Sequence, residues 1–412
     1  MISDVKKKLL KLVTQFRTLA FKGLNIILVF IVAKVYVSNI GAEDYGRYIL
    51  LHGYLLTIST LIATGHGLYV FRSLVETKRL RITSVLEGAI FVLISYFGLL
   101  LLWLVIAPFV QFEEGNKTIV AVSFFGYAFT AFNVEVLRLW VRGDGYMLFK
   151  DTVRALMVLV VVVFAPFFTP EKVLLGSSLG SVSVSTLYIL LLINKNKSEM
   201  DFEKIKWNKL HIDAWQGATI GLGSGLQILK SWLEIFVSGV LFSEAIVGMY
   251  SLFQKLAKLV NLPLVALNAD IAKSLAAFTK GTPLSNATRT RIKYARIFAS
   301  LFAAGALLIT PVYIHFYDFE LNWISALTCS VLIFSNLINV YFGPIGLVSQ
   351  LAHLRKQYIV ANLIAIVIIG LAAVLIVPSL GILSLAITSL VSAVFWNVML
   401  QYAVYRHYNY RF

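Results

Sequence analysis

Apolar residues run along this chain in stretches near 19–40, 47–72, 82–110, 118–141, 152–169 and 172–193, and then near 214–240, 246–272, 295–316, 323–349, 358–377 and 379–404. Polar or glycine-bearing connectors separate them. Neither the alternation of a half-buried strand nor the 3.6-residue stripe of a soluble amphipathic helix dominates within a run. The runs are apolar around the whole helix, and most reach the roughly 20 residues that cross a hydrocarbon core of about 30 Å. The pattern predicts an all-α polytopic membrane protein with twelve transmembrane helices, arranged as six and six.

The two halves echo one another. Residues 25–50, NIILVFIVAKVYVSNIGAEDYGRYIL, form an apolar stretch interrupted by Lys34 and closed by an acidic, glycine-bearing turn. Residues 228–253, ILKSWLEIFVSGVLFSEAIVGMYSLF, repeat that plan, with Gly248 and Tyr250 standing 202 residues after Gly46 and Tyr48. An even number of spans in each half gives both halves one orientation, so they are expected as pseudo-symmetric lobes, 19–193 and 214–404, around a central cavity. Between them lies 194–213, NKNKSEMDFEKIKWNKLHID, the most polar stretch of the chain and a natural connector. A second polar loop, 279–291, is expected to divide the second lobe.

Charge turns this pattern into a topology. Residues 1–18 place Lys6, Lys7, Lys8, Lys11 and Arg17 among leucines and other apolar residues, as a basic amphipathic helix on a membrane surface does. The long apolar run that follows has no small-residue cleavage site before Gly41, so it reads as a retained first span. Alternate connectors carry 28 lysines and arginines on one side and 3 on the other, where eight acids gather. The positive-inside rule then places both termini, the connector and the 405–412 tail in the cytoplasm.

Composition agrees, with 59% hydrophobic and 14% charged residues in 412, against roughly 25% charged in soluble domains. The net charge of +16 would point to nucleic acid in a soluble protein, but here it follows the loops, and no nucleic-acid partner is expected. The single cysteine, Cys329, lies in an apolar run and excludes a disulfide framework or a cysteine metal site. There is no phosphate-binding loop, HExxH or GxSxG, and the six histidines are scattered. His66, between Gly65 and Gly67, reads as a packed or cavity-facing polar residue. Neither an enzyme nor a cofactor or metal site is expected.

The remaining charges lie inside spans, where a lysine at mid-helix costs about 2.5–3.5 kcal/mol on insertion scales and calls for a wet cavity or a partner. Lys22, Glu87 and Asp270 lie near the cytoplasmic edge, where they can snorkel. Glu135 and Arg138 form a near-neutral pair at the end of the fourth span. Deeper are Lys34, Lys230, Glu234, Lys255 and Lys258, with a net charge of +3. Lys230 and Glu234, four apart on one helical face, read either as a structural ion pair or as a pair lining a transport path. Lys255 and Lys258, three apart, repel unless an anion or acid lies between them. Gly217, Gly221, Gly223 and Gly225 make the seventh span either bendable or closely packed. Pro166, Pro263 and Pro344 are candidate kinks.

The two-half plan, the basic amino terminus, and the sequences GAEDYGRY at 41–48 and ATGHGLYVFRSL at 63–74 resemble Wzx-type polysaccharide (O-antigen) flippases of the multidrug/oligosaccharidyl-lipid/polysaccharide exporter superfamily. GHG stands where many members carry a phenylalanine-glycine pair. The resemblance implies movement of an undecaprenyl-diphosphate-linked oligosaccharide between the leaflets of the bacterial inner membrane by alternating access, coupled to a proton or Na⁺ gradient. Lys34, Lys230, Lys255 and Lys258 would then bind the substrate diphosphate, a role lysine fills as a point charge, and Glu234 would serve ion coupling. Two alternatives stay open: a cation-coupled multidrug exporter of the same superfamily, for whose cations a +3 interior is repulsive, and a scaffold partnering a polysaccharide polymerase.

Overall fold

The computed structural model describes residues 23–67, 70, 80–106, 114–137, 148–165, 168–196, 200–201, 210–268, 286–317, 322–351, 354–377 and 381–408. The expected surface helix at 1–18, Lys22, Arg138, Pro166 and Asp270 lie outside them. In chain order the helices are α1 Gly23–Ile40, α2 Ala42–Gly67, α3 Ile82–Ile106, α4 Glu114–Leu137, α5 Val153–Phe164, α6 Pro170–Lys195 and α7 Leu210–Leu241. These are followed by α8 Glu244–Lys258, α9 Asn286–Phe316, α10 Trp323–Tyr341, α11 Ile345–Leu351, α12 Arg355–Leu375 and α13 Ile382–Tyr408. The only β pairing among the described residues is a two-residue parallel contact of Leu80 and Arg81 with Met200 and Asp201.

Nine of these helices are long and apolar enough to cross a membrane, so the protein is a multi-pass helical membrane protein. Outside the nine are the short α5 and α11, together with α7 and α8. α7 and α8 carry the deep charges, Lys230 and Glu234 on one, Lys255 and Lys258 on the other.

Local chemistry sets the ends, and it moves several expected boundaries. The turn after α1 is Gly41 alone, at φ 108°, a backbone that L side chains rarely adopt. Glu43 and Asp44, expected in a loop, instead occupy the first turn of α2, where carboxylates face the positive end of the helix dipole. α6 opens on Pro170 and Glu171 and closes on Lys195 for the same reasons. The Asn322 side chain caps α10, accepting from the Ser325 N–H at 2.8 Å. The expected kink at Pro344 is a full break: Gly343 at φ 74° ends α10, and α11 starts at Ile345. α8 passes through a 3₁₀ turn at Leu259–Asn261 into a helical segment containing Pro263. Residues 286–291, expected in a polar loop, are the first turns of α9. Within α2, a π turn at Thr60–Thr64 widens the helix just before Gly65.

The chain divides into two units, 27–228 and 229–412 with 1–26, and the division falls inside α7 between Ile228 and Leu229. In the unit 27–228, α4 is central, packed by α2, α3 and α6, with α5 against α6. Phe132, Ala128, Val134 and Leu137 of α4 join Ala63 and Val92 in its core. A Cβ on Gly126 would stand 2.8 Å from the Ser178 Cβ, so α4 and α6 meet through small residues. Asn133 then donates from Nδ2 to Ser185 Oγ at 3.1 Å and Thr186 Oγ1 at 2.9 Å. Glu135 is buried beside α2, its side chain meeting the space next to Gly67.

In the unit 229–412 the same order of pairings recurs. α8 and α9 pack on α10, α10 packs on α13, and α12 packs on α13. Small residues are again buried here, among them Ala361, Ala365 and Ala386. A recurring set of pairings at recurring positions is what a duplicated sequence produces.

The glycines of α7 now have their explanation. In the unit 27–228, a Cβ on Gly65 would run into the Gly217 carbonyl and the Gly221 backbone, and a Cβ on Gly225 into Leu61. Gly217 itself faces the His66 ring, which stacks on Phe91 at 5.4 Å. The first half of α7 therefore lies directly on α2, backbone to backbone, as small residues allow in a membrane. Gly223, by contrast, faces open space.

Candidate functional site

Four of the five deep charges lie in the unit 229–412, on the second half of α7 and on α8; Lys34 lies in the other unit, half-buried on α1. Glu234 is buried at 6% exposure. Tyr250 and Gln254 of α8 both donate to its Oε2, from Oη and Nε2, at 2.8 Å each. Ser389 of α13 hydrogen-bonds the same carboxylate. Neutral donors from two helices, α8 and α13, thus converge on one acid of α7, the arrangement that makes a carboxylate tolerable inside a membrane.

Lys230 and Glu234 share a helical face, but they do not close the ion pair that their spacing suggested. The Lys230 ammonium sits over the ring of Trp396 on α13, 3.9 Å from its centroid. Two things divert it: the indole face attracts a cation, and Tyr250 and Gln254 already occupy the carboxylate. Charge attraction between Lys230 and Glu234 persists through space. Trp396 is itself fixed. Its Nε1–H donates to Asn362 Oδ1 at 3.0 Å, its ring meets Tyr358 edge-on at 6.1 Å, and Gly346 of α11 leaves room for its outer edge.

Lys255 is half-buried and Lys258 exposed on the unit's surface, and the two repel each other while Lys258 is drawn to Glu234. The site is therefore one hydrogen-bonded carboxylate that attracts two ammonium groups, Lys230 and Lys258, with Lys255 beside Lys258.

Sequence reasoning missed Tyr250, Gln254, Ser389 and Trp396 as site residues, although one signal pointed to them. Tyr48 and His52 stand 202 residues before Tyr250 and Gln254, with the same four-residue spacing. In the unit 27–228 that earlier pair builds an aromatic cluster: Tyr48 stacks on His52 at 5.8 Å, its ring lies tilted against Tyr36 at 5.0 Å, and His52 hydrogen-bonds Tyr127. Arg154 lies over Tyr127, 4.5 Å from the ring centroid. Nearby, Arg47 pairs with the fully buried Glu171 at 2.7 Å.

A second feature was not foreseen. Asn397 donates to Asn339 at 3.2 Å, Asn339 to Asn261 at 3.2 Å, and Asn261 to Asn336, a directional ladder of amides across α13, α10 and the 3₁₀ turn after α8.

Helices, pairings and site together define a polytopic membrane protein with a duplicated helical unit and a cationic cluster in its second half. Solved structures share that architecture. The chain resembles the lipid II flippase MurJ in an inward closed conformation, with TM-score 0.63 at 12% identity over 93% of this chain and 86% of that one. It resembles a multidrug resistance MATE family transporter of the MOP superfamily with TM-score 0.65 at 15% identity in the outward-facing conformation, over 95% and 94% of the two chains. For an inward-facing conformation of such a MATE transporter the score is 0.64 at 13% identity, over 92% and 95%. No protein-family model matches the chain, and no curated protein matches it. The chain shares the fold of these structures.

Proposed function

We propose that this protein is a flippase that carries an undecaprenyl-diphosphate-linked oligosaccharide from the cytoplasmic to the outer leaflet of the bacterial inner membrane. One observation carries the reading: Lys230 and Lys258 are drawn to a carboxylate whose Oε2 already accepts from Tyr250 and Gln254, and Lys255 lies close enough to Lys258 to repel it. Such a cluster favours an anion, and a diphosphate headgroup is the anion of a lipid-linked sugar. Lys34, together with these three lysines, would hold the diphosphate. Glu234 would couple its passage to a proton or Na⁺, exchanging Tyr250, Gln254 and Ser389 as partners while the lobes alternate in access. Support from the fold is coarser: one similar structure is a flippase by name, for lipid II, and the others are multidrug transporters. Twelve spans with cytoplasmic termini complete the proposal, supported by the 28-to-3 asymmetry of basic residues.

The multidrug reading is weaker on a specific ground. A cationic drug would enter a cluster of three lysines with one acid and be repelled. The deciding experiment reconstitutes the protein in liposomes with fluorescent undecaprenyl-diphosphate oligosaccharide and measures leaflet exchange with and without ion gradients. Exchange above that of protein-free liposomes, lowered by Lys255→Gln and Lys258→Gln and partly retained by the arginine variants, supports the reading. Exchange equal to the blank, with a fluorescent cation transported instead, overturns it.

A further inference from the structure

The unit 229–412 has a second cationic feature that uses none of the residues around Glu234. Arg289, Lys293, Arg296 and Ser300 are spaced to lie on one face of α9. This stripe flanks the buried face of Thr288, Ile292, Ala295 and Ala299. Arg289 and Lys293 are exposed, while Arg296 and Ser300 are half-buried. At its deep end the Ser300 hydroxyl meets the Tyr341 hydroxyl at 3.0 Å, so the last residue of α10 forms one wall. The Arg296 Nε is buried without a hydrogen-bond partner. Neither α9 nor α10 contains a single aspartate or glutamate, so no acid from these helices neutralises the stripe, and its cations repel along the helix.

Depth identifies the ligand. Immediately beyond the stripe α9 turns outward-facing apolar side chains to its surroundings: Ile297, Phe298, Leu301 and Phe302 are all exposed, and Tyr294 stands at the level of the charges, as interfacial tyrosines do. Cations end where hydrocarbon begins. A free anion has no reason to prefer that level; a phosphate that is tethered to acyl chains is held there. Guanidinium groups match phosphate oxygens in a bidentate fork, and basic pockets between transmembrane helices are known receivers of anionic headgroups.

We infer that the groove between the amino-terminal turns of α9 and the end of α10 is a binding site for the phosphate headgroup of an anionic phospholipid. Arg289 and Lys293 capture the phosphate, Arg296 supplies its unused Nε–H from below, and the Tyr341 hydroxyl rotates from Ser300 to a headgroup oxygen. The acyl chains run down past Ile297 and Leu301, the exposed apolar side chains nearest the stripe on this helix.

The test uses the full chain in detergent with short-chain phosphatidylglycerol, phosphatidylcholine or inorganic phosphate, read by native mass spectrometry and by thermal unfolding. Phosphatidylglycerol should remain bound and raise the unfolding temperature, phosphatidylcholine should do neither, and the triple variant R289Q/K293Q/R296Q should abolish both effects. Each single charge removed should weaken binding roughly fivefold, the factor that corresponds to about 1 kcal/mol per basic residue near an anionic surface. R291Q, on the other flank of the helix, is the control and should bind like the wild type. Should the triple variant fail to fold, R289Q/K293Q at the exposed end serves instead. Full phosphatidylglycerol retention by the folded variant overturns the site, and so does equal protection by inorganic phosphate, which would mean that no lipid is required.

Discussion

Trp396 should decide how far Lys230 contributes to transport. Its indole does two jobs, holding the Lys230 ammonium 3.9 Å above the ring and donating from Nε1 to Asn362 at 3.0 Å. Trp396→Phe keeps an aromatic face and removes only the donor, which leaves the fully buried Asn362 carbonyl unsatisfied at a cost of about 1–3 kcal/mol. Trp396→Leu also removes the ring, and with it a desolvated cation–π contact of about 2 kcal/mol. At about 1.4 kcal/mol per tenfold, a lysine released from its place should slow flipping by roughly 30-fold in the leucine variant, with far less loss in the phenylalanine variant. Leaflet exchange in liposomes is the assay, normalised to protein that elutes as one folded species, since the leucine variant also leaves a cavity. The cycle with Lys230→Gln isolates the pair: if the ring acts through Lys230, the double variant should be no slower than the slower single variant. Additive losses in that cycle, or equal rates for the phenylalanine and leucine variants, would refute the positioning role.

Three further outcomes follow from the packing and the site. Gly65→Ala or Gly221→Ala should destabilise the protein by about 1–3 kcal/mol through overpacking, read as a lower unfolding temperature, while Gly223→Ala, facing open space, should be silent. Glu171→Gln leaves Arg47 facing a neutral amide and should cost about 3 kcal/mol, the low end for a buried pair because the Arg47 side chain is 34% exposed. Glu234→Gln should make flipping independent of the imposed gradient while leaving substrate binding in place; unchanged gradient dependence would reduce Glu234 to a structural partner.

The fold was largely legible, because hydropathy is read directly in a bilayer. Each apolar run contains a helix where the structure describes it, though the run 323–349 is broken at Gly343 and Pro344, and the duplication announced by Gly46/Tyr48 and Gly248/Tyr250 reappears as the same pairings within each unit. Helix ends were less legible. Glu43, Asp44 and residues 286–291 look like loop because they are polar, yet carboxylates belong in the first turn of a helix and a helix continues past the apolar region into water. The seventh and eighth spans were placed by the same count of apolar runs, yet the helices there, α7 and α8, fall outside the nine long and apolar enough to cross a membrane.

For the site, the sequence showed which charges were unusual but not what accompanies them. Lys230 and Glu234 at four residues apart imply a pair on helix geometry alone, and that inference fails because each has a better partner on another helix: Trp396 lies 166 residues from Lys230, and Ser389 lies 155 from Glu234. No local periodicity encodes such contacts. The duplication does encode part of them. Tyr48 and His52 are followed at the same spacing by Tyr250 and Gln254; in the first unit His52 hydrogen-bonds Tyr127, and in the second Tyr250 and Gln254 both donate to Glu234. Where the first unit answers with tyrosines and Arg154, the second answers with an acid that attracts two lysines. Two copies that kept the helix pairings and the inward pair but diverged in the charge they enclose divide the labour in a physically simple way. If Glu234 couples transport to an ion as proposed, substitutions around Glu234 should change coupling, while those around His52 should change stability.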